Sequence, residues 1–376
     1  MKQRSCSVAD IVLDTRMIRH SGIGTYLRGL LEGYRNHPFF REHSLALAAA
    51  PSSSEADGRG ARLAFHSPIY SLREQVEYPF RIKNCRLWHA PHYNIPLVKR
   101  GVRLVVTIHD LIPWIFQKEF YSSFQTAYAH VFFGRVAALA DKIIAVSERT
   151  RADLIQHFQV PAEKIRTIYE GVSEEFFRIP DSAVRRSFFS RYHLPDEFFL
   201  YVGLMKPHKN VNRLLRVFKK LRSEGRLRLP LVLVGKKDKK YPKGHELIQG
   251  LATGDGVFYL PQVASQSELV CLYASARALI HPSLYEGFGL TCLEAMASGT
   301  PLAVSRAASL PEVAGEAGYY FDPASDDSLG EAFLAMEEDE ELRKKLAQKG
   351  TDRARQFRWE KTVEETIQVY KEVLEG

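Results

Sequence analysis

The sequence predicts an α/β protein made of two doubly wound domains, each with a parallel sheet covered by helices on both faces. Apolar runs of strand length alternate with amphipathic stretches of helix length, and the whole alternation occurs twice. Strands joined through helices run parallel, so each set predicts one parallel sheet. The chain has 376 residues, which suits two cores of roughly 150–200 residues each.

The first set of elements occupies residues 1–178, the predicted amino-terminal domain. An amphipathic helix pattern begins near Thr25, and Ser147 can cap a later helix. Residues 51–58 have the composition of a loop. Apolar runs of strand length lie at 10–14, 44–50, 103–109 and 141–147.

The second set occupies residues 179–355, the predicted carboxyl-terminal domain. Between the two sets, residues 172–187 contain a proline and several acidic residues and form the candidate linker. Asn210 can cap a helix over 211–222. Apolar runs of strand length lie at 198–203, 231–235 and 278–281.

Composition is that of a globular protein, with 45% hydrophobic and 26% charged residues. No apolar run approaches the ~20 residues of a membrane-spanning helix, and residues 1–14 lack the apolar stretch of a signal peptide. The four cysteines have neither metal-ligand spacing nor the density of a disulfide framework. These features predict a protein of the reducing cytoplasm without a structural zinc site.

The net charge of +8 is concentrated in the first half of the chain. Residues 1–178 carry 24 lysines and arginines against 17 aspartates and glutamates, whereas the remainder carries 28 against 27. A basic domain attracts phosphate groups, whether of lipid head groups or of lipid-linked diphosphates. Ordinary variation of surface charge explains the asymmetry equally well.

Ligands of open α/β sheets bind beyond the carboxyl ends of the strands. Four segments of this sequence follow predicted strands and carry glycine, histidine or lysine. These segments are Gly22-Ile-Gly24, His109, Lys209 and the run that follows His281.

The most informative stretch is 281–301, which reads as a strand end, a glycine-bearing loop and a helix from about Leu290. Gly287 and Gly289 let the backbone approach a ligand, and the free amides of a helix start favour an anion such as a diphosphate. Glu286 in the loop and Glu294 in the helix can face the same ligand. Carboxylates accept strong hydrogen bonds from sugar hydroxyls, so the pair suits a sugar and a ribose on either side of a phosphate.

The spacing from Glu286 to Glu294 resembles the E-x7-E signature of the retaining glycosyltransferases of family four, which have the GT-B fold. Further blocks resemble the family in the same order, and together they span most of the chain. The resemblance implies two domains facing each other across a cleft, with residues 356–376 as a helix that crosses back to the first domain. The blocks are 22–26, 88–94, 106–113, 201–210, 309–313, 320–323 and 357–362.

The resemblance also implies roles for individual residues. His109 and Glu286 are the implied catalytic residues, with His109 at the reacting carbon and Glu286 beside the donor sugar. Lys209 is expected to neutralise the diphosphate, and Glu294 to bind the ribose hydroxyls. The other implied donor-binding residues are Gly22, Gly24, Phe288, Gly289 and Leu290.

One residue departs from the family pattern. The family often has an arginine directly after the glycine of the phosphate block, where this chain has Leu204. The sequence Pro-His-Lys-Asn at 207–210 matches a subset of the family that also lacks this arginine. Lys206 and His208 are the candidates for the missing donor.

Some glycosyltransferases neutralise the leaving diphosphate with a metal ion held by an Asp-x-Asp pair, and no Asp-x-Asp occurs in this chain. We therefore predict that no metal and no cofactor are required besides the nucleotide-sugar co-substrate, the charge being met by protein groups. Retention is implied by the resemblance alone. Attack from the face that the diphosphate leaves and a covalent Glu286 intermediate both stay open.

The blocks at 22–26 and 109–113 look most like those of bacterial mannosyltransferases of surface-polysaccharide and lipopolysaccharide assembly. This similarity implies GDP-mannose as donor, a glycan or polyprenyl-diphosphate-linked acceptor, and work in the cytoplasm at the inner face of an anionic membrane. The alternatives are a UDP-sugar-dependent transferase of glucose or N-acetylglucosamine, a sugar-nucleotide epimerase, or a non-catalytic relative that binds phosphate or membrane. No RNA-binding or helix-turn-helix pattern is evident, so no nucleic-acid partner is expected.

Overall fold

A computed structural model describes residues 9–50, 61–99, 101–117, 119–120, 123–178, 180–237 and 256–376. The chain forms two compact units, Met1–Gly171 with Arg358–Gly376, and Val172–Phe357. The boundaries between the units follow residues 171 and 357, whereas the sequence predicts them after residues 178 and 355. The predicted loop at 51–58 lies outside the described residues.

The first unit is built on a sheet of seven described strands, all paired in parallel. The strands are β1 (Ala9–Asp14), β2 (Leu45–Ala49), β3 (Ala61–Ala64), β4 (Cys85–Ala90), β5 (Arg103–Ile108), β6 (Lys142–Ala145) and β7 (Ile165–Thr167). Their order is β3-β2-β1-β4-β5-β6-β7. The helices are α1 (Ser21–Tyr34), α2 (Phe39–Glu42), α3 (Leu72–Arg81), α4 (Ile112–Ile115), α5 (Ser123–Leu139) and α6 (Glu148–Phe158).

Both faces of this sheet are buried, as the strand β5 shows. Successive side chains of a strand point to opposite faces, and Val105 and Val106 are both fully buried but belong to different apolar clusters. Val105 packs in the cluster that contains Tyr26 of α1, and Val106 packs in the one that contains Phe133 of α5. The unit is therefore doubly wound, with helices on each face of the parallel sheet.

The second unit contains a parallel sheet of six described strands. The strands are β8 (Phe199–Val202), β9 (Leu231–Val234), β10 (Val257–Leu260), β11 (Ala278–His281), β12 (Leu302–Ser305) and β13 (Gly318–Phe321), in the order β10-β9-β8-β11-β12-β13. The helices are α7 (Ser182–Tyr192), α8 (Val211–Ser223), α9 (Gln266–Ser275), α10 (Leu290–Ala297), α11 (Leu310–Ala314), α12 (Asp326–Glu338) and α13 (Glu340–Ala354). The predicted fold class, two parallel α/β domains, is confirmed.

The candidate linker at 172–187 is not a free connection but part of the second unit. It contains the short 3-10 helix Glu174–Phe177 and the start of α7, which Asp181 caps by accepting from two backbone amides. Phe176 is buried against Tyr273, with their ring centroids 6.0 Å apart. The proline and the acidic residues of this segment lie at or next to the starts of its helices. The burial of Phe176 explains why the segment packs into the second unit.

The last helix, α14 (Trp359–Glu375), belongs to the first unit although it follows the second in sequence. Its Tyr370 hydroxyl lies 2.6 Å from Nδ1 of His89 in β4 and 2.9 Å from the Tyr34 hydroxyl in α1. Arg166 of β7 forms an ion pair with Glu372 of α14, with a nitrogen-to-oxygen distance of 2.7 Å. These contacts join the end of the chain to the first sheet and to α1.

Candidate active site

The centre of the second unit's site is the Glu286 carboxylate, which lies in the loop after β11. Nζ of Lys209 lies 2.7 Å from each of its oxygens. Ser283 Oγ donates to Oε1 at 2.6 Å, and Nε2 of His281 lies 2.9 Å from the same atom. The side chains of Lys209 and Glu286 are 18% and 9% exposed, so the ion pair is almost shielded from water.

These neighbours keep Glu286 charged. Burial by itself favours the neutral acid, but the Lys209 ammonium and the hydrogen bond with His281 outweigh it and hold the pKa of Glu286 well below its usual range. A carboxylate held ionised in this way can accept hydrogen bonds but cannot donate a proton near neutral pH. Its chemistry is therefore that of an acceptor, a base or a nucleophile.

The loop from Glu286 to the start of α10 is held open by backbone geometry. Gly289 is the N-cap of α10, with φ of 113°, a left-handed conformation that side chains rarely adopt. Ser309 Oγ donates to the carbonyls of Glu286 at 2.9 Å and Phe288 at 2.8 Å. A glycine N-cap brings no capping side chain, so no side chain caps the first amides of α10. Anion binding at Leu290 stays a prediction.

Glu294 lies on the second turn of α10 and is half-buried. Its Oε2 accepts a hydrogen bond of 2.9 Å from the Tyr273 hydroxyl. Burial first, and then the negative charges of both Glu286 and Glu294, raise the pKa of the Cys292 thiol well above its usual value. The charges of the two predicted carboxylates thus both act on the Cys292 thiol, which lies on the first turn of α10.

Lys209 is aimed at Glu286 by the turn that precedes α8. The residues Pro207–Lys209 form a 3-10 turn, and Asn210 follows it with φ of 59°. The Asn210 side chain donates to the carbonyls of Pro282 and Pro323 at 3.2 and 2.9 Å, which ties this turn to the loop of Glu286. His208 in the same turn is only 3% exposed, and burial together with Lys209 lowers its pKa to about 3. A neutral His208 cannot replace the positive charge of the arginine that Leu204 displaces.

The two glycines predicted to approach the diphosphate from the first unit lie in a helix rather than a loop. The helix α1 begins at Ser21, so Gly22 and Gly24 both belong to its first turn. The Gly24 amide donates to the carbonyl of His20, and a Cβ at this position would fall 2.3 Å from the Ile18 oxygen. Packing alone therefore requires a glycine at 24, whereas Gly22 is exposed with open space around it.

His109 follows β5 as predicted, and it faces a residue that the sequence analysis missed. Its Nδ1 lies 3.1 Å from Oε1 of Glu170, whose side chain is 3% exposed. The ring packs edge-on against Tyr26, with centroids 5.0 Å apart. Glu170 lies three residues after the end of the short strand β7. The rule that ligands bind beyond the carboxyl ends of strands would have pointed to it had β7 been recognised as a strand.

The predicted residues thus form two groups, one in each unit. In the second unit, Lys209 and Glu286 form a pair beside the loop that leads to α10, and Glu294 lies on the second turn of that helix. Gly22, Gly24 and His109 lie at the carboxyl edge of the first sheet. His89, a residue of the amino-domain block at 88–94, is a packed core residue bonded to Thr107 and Tyr370.

Within the parts of the chain that the structure describes, no group of three or more histidine, cysteine, aspartate or glutamate residues is arranged to hold a metal ion. In the same residues, no helix is both long and apolar enough to cross a bilayer.

Comparison with known proteins agrees with this architecture. Residues 21–176 match the model of Glycosyltransferase Family 4, and residues 186–353 match that of Glycosyl transferases group 1. Similar solved structures include HepE of Anabaena in complex with UDP-glucose, with a TM-score of 0.77 at 18% identity over 97% of this chain and 100% of that one. At that identity the likeness shows the fold, which is GT-B.

Two curated relatives are similar over most of the chain. The chain is 32% identical to O-antigen chain mannosyltransferase B of Escherichia coli over 331 residues, 85% of each protein. It is 27% identical to O-antigen chain mannosyltransferase RfbU of Salmonella typhimurium over 72% of this chain and 70% of that one. The chain therefore belongs to the family-four glycosyltransferases and is a glycosyltransferase enzyme. Within that family it is related to bacterial mannosyltransferases of polysaccharide assembly.

Proposed function

We propose that the protein transfers mannose, with retention, from GDP-mannose to a glycan or lipid-linked acceptor in surface-polysaccharide synthesis. Support for mannose comes from the O-antigen chain mannosyltransferase of Escherichia coli, which matches 85% of the chain at 32% identity. Support for a nucleotide-diphosphate donor comes from the second unit, where the half-buried Lys209 pairs with Glu286 shortly before the start of α10 and Glu294 lies within that helix.

The observation that carries the proposal is the Lys209–Glu286 pair beside the start of α10. In the transfer, the bond from the anomeric carbon to the phosphate oxygen breaks and a bond to the acceptor oxygen forms. Negative charge grows on the leaving diphosphate, and the acceptor proton moves to a phosphate oxygen. In this proposal Lys209 and the amides at the start of α10 stabilise that charge, while Glu286 and Glu294 bind hydroxyls.

This arrangement supports a reaction that needs no metal ion, because fixed protein charges meet the leaving group. We expect full activity after treatment with EDTA and dialysis. Loss of activity on chelation, restored by Mg²⁺ or Mn²⁺, would overturn this part of the proposal.

The donor can be tested by thermal stabilisation, because a bound ligand raises the apparent stability by mass action. We expect GDP and GDP-mannose to raise the melting temperature more than UDP-glucose or UDP-N-acetylglucosamine does. A larger shift with a UDP-sugar would assign the alternative donor, and no shift with any nucleotide would favour a non-catalytic relative. The anomeric configuration of the product, read by proton NMR, tests retention, and donor conversion without transfer would indicate an epimerase.

A membrane-surface acceptor is supported by the helix α3, whose outer face is apolar. Glu74 and Tyr78 are fully buried, and Glu74 Oε1 lies 2.7 Å from the Arg16 guanidinium. Leu72, Val76 and Phe80 recur at every fourth position and are 88%, 67% and 60% exposed. Exposed basic residues stand near this stripe in sequence, at positions 73, 83 and 86. An apolar stripe with flanking cations suits an anionic lipid surface.

Flotation with vesicles tests this surface. We expect the protein to bind vesicles containing phosphatidylglycerol, and the triple change Leu72→Ser, Val76→Ser, Phe80→Ser to weaken binding at least about tenfold. The matched control is Val131→Ser with Val184→Ser, which alters two other exposed valines. Unchanged binding by the triple variant, or equal binding to neutral vesicles, would remove this surface as the membrane contact.

A further inference from the structure

His109 and Glu170 face each other in the first unit with buried polar atoms that are incompletely bonded. Nδ1 of His109 lies 3.1 Å from Oε1 of Glu170, but the two atoms lack the alignment of a hydrogen bond. Nε2 of His109 is also buried and has no hydrogen-bond partner among the residues described. Buried polar atoms of folded proteins are nearly always hydrogen-bonded, so each exception requires an explanation.

The surroundings leave the His109 ring few choices. The Tyr26 ring packs edge-on against it, and the Tyr26 hydroxyl is engaged with Thr107 Oγ1 at 2.9 Å. Thr150 Oγ1 donates to the His109 carbonyl at 3.2 Å, which fixes the backbone. Among the described residues of this unit, the carboxylate that lies within ion-pair distance of the ring is that of Glu170.

Glu170 is itself held in place by the last helix of the chain. Thr362 in α14 donates its hydroxyl to the Tyr169 carbonyl at 2.7 Å. The backbone of Gly171 runs so close to α14 that a Cβ there would fall 2.3 Å from the Trp359 nitrogen. The backbone on both sides of Glu170 is thus held against α14.

We propose that Glu170 is a positioning residue that keeps the proton of His109 on Nδ1, so that Nε2 offers its lone pair to a hydroxyl of the transferred sugar. The inference rests on the proposed function, in which His109 lies at the reacting carbon. A neutral imidazole has one donor and one acceptor nitrogen, and the partner of one nitrogen decides the state of the other. When a sugar hydroxyl binds Nε2 and fixes the ring, we expect the contact from Nδ1 to Glu170 to become more linear. Hydrogen bonds of catalytic groups are often poorly aligned without substrate and tighten when it binds.

The first test reads the tautomer directly, without any substrate. Long-range proton–nitrogen NMR of the ¹⁵N-histidine-labelled protein distinguishes a protonated from an unprotonated ring nitrogen, and His109→Gln assigns the signal. We expect Nδ1 to be protonated and Nε2 to be unprotonated in the wild type, and Glu170→Ala to lose this preference. Glu74→Gln alters another buried carboxylate of the same unit and serves as the matched control. An Nε2-protonated ring in the wild type, or an unchanged spectrum in Glu170→Ala, would overturn the proposal.

The second test measures steady-state kinetics. Glu170→Gln is expected to lower kcat at least about tenfold, the size of effect seen for residues that orient a ligating histidine, with less change in KM for the donor. Glu170→Asp, which keeps the charge, should recover part of the loss. The double variant His109→Ala, Glu170→Gln should be no slower than His109→Ala alone, since Glu170 acts through His109. Additive losses would contradict this. Failure of the wild type to use any nucleotide sugar would refute the proposed function while leaving the NMR result to stand by itself.

Discussion

Lys209 and Glu286 of the second unit form a bidentate ion pair, with Nζ 2.7 Å from both carboxylate oxygens and little of either side chain exposed to solvent. The pairing gives Lys209 two possible partners, the carboxylate and an incoming phosphate. Glu286 also has His281 and Ser283 as partners, so it stays hydrogen-bonded when the lysine turns to a phosphate. We expect diphosphate binding to draw the lysine away and to leave Glu286 oriented for the sugar.

Removing this lysine should affect catalysis and stability separately. Lys209→Ala is expected to lower turnover at least tenfold, because one lost electrostatic donor typically costs about 3–4 kcal/mol of transition-state stabilisation. It should also lower the melting temperature, since it leaves a buried charge without its main partner. The matched control is Lys220→Ala, which removes an exposed lysine from the helix α8 that follows this turn.

The double variant Lys209→Ala, Glu286→Gln separates the two effects. Removing the stranded charge should restore much of the melting temperature but none of the turnover. Turnover close to that of the wild type in Lys209→Ala, measured by product formation under saturating donor, would rule out the phosphate assignment.

Glu294 should act on donor affinity more than on chemistry. Its carboxylate is positioned by the Tyr273 hydroxyl at 2.9 Å and is expected to bind the ribose hydroxyls. Glu294→Gln should raise KM for the donor at least about tenfold, because hydrogen bonds to charged groups contribute roughly 1.5–3 kcal/mol. Tyr273→Phe, which keeps the carboxylate but removes its support, should show a smaller increase in the same direction. Equal losses in kcat with unchanged KM would place Glu294 at the reacting carbon instead.

His89 should make the free energy of unfolding depend on pH above the range of the carboxylates. Burial first, and then His109, lower the pKa of His89 to about 3 from the ordinary value of 6.5. Between these values the unfolded chain binds a proton that the folded chain does not, so stability falls as the pH falls below 6.5, by at most about 1.4 kcal/mol per pH unit. Urea unfolding between pH 7.5 and 5 should show a shallower slope in His89→Gln than in the wild type. The exposed His66→Gln is the control, and parallel slopes in wild type and His89→Gln would contradict the assignment.

Glu286 should also make the free energy of unfolding fall as the pH falls, but at lower pH than His89 does. Its folded pKa lies well below the ordinary value of 4.5 because Lys209 and His281 outweigh burial. Its stabilising contribution is therefore complete above pH 4.5 and is lost progressively as the pH falls below that value. The difference in unfolding free energy between wild type and Glu286→Gln should shrink from pH 5 to pH 3.5. A difference that stays constant over this range would show that Glu286 is not held ionised.

Much of the architecture follows from apolar periodicity. The runs at 103–109 and 198–203 are read correctly because strands buried on both faces are almost continuously apolar. The strand β7 has only three residues, two of them polar, so it carries too little pattern to be recognised. Its omission is why Glu170 is absent from the sequence analysis.

The sequence predicts those parts of the site that residue types and spacing define. It does not predict contacts between residues that are far apart in the chain. The glycine turn before Leu290 and the two carboxylates around it are visible in the sequence. The pairing of Lys209 with Glu286 joins residues 77 positions apart and depends on how the turn before α8 meets the loop after β11. Gly24 shows that one sequence signal can have two causes. A side chain there would collide with Ile18, so packing requires glycine just as a closely approaching ligand would.

The most direct measurement is a crystal structure with the nucleotide diphosphate that gives the largest thermal shift. We expect the diphosphate to lie against the backbone amides of 289–290, with Lys209 Nζ moved from Glu286 to a phosphate oxygen and Glu294 on the ribose. A diphosphate bound at any other part of the second unit, or one with Lys209 still on Glu286 and no contact to α10, would contradict this expectation.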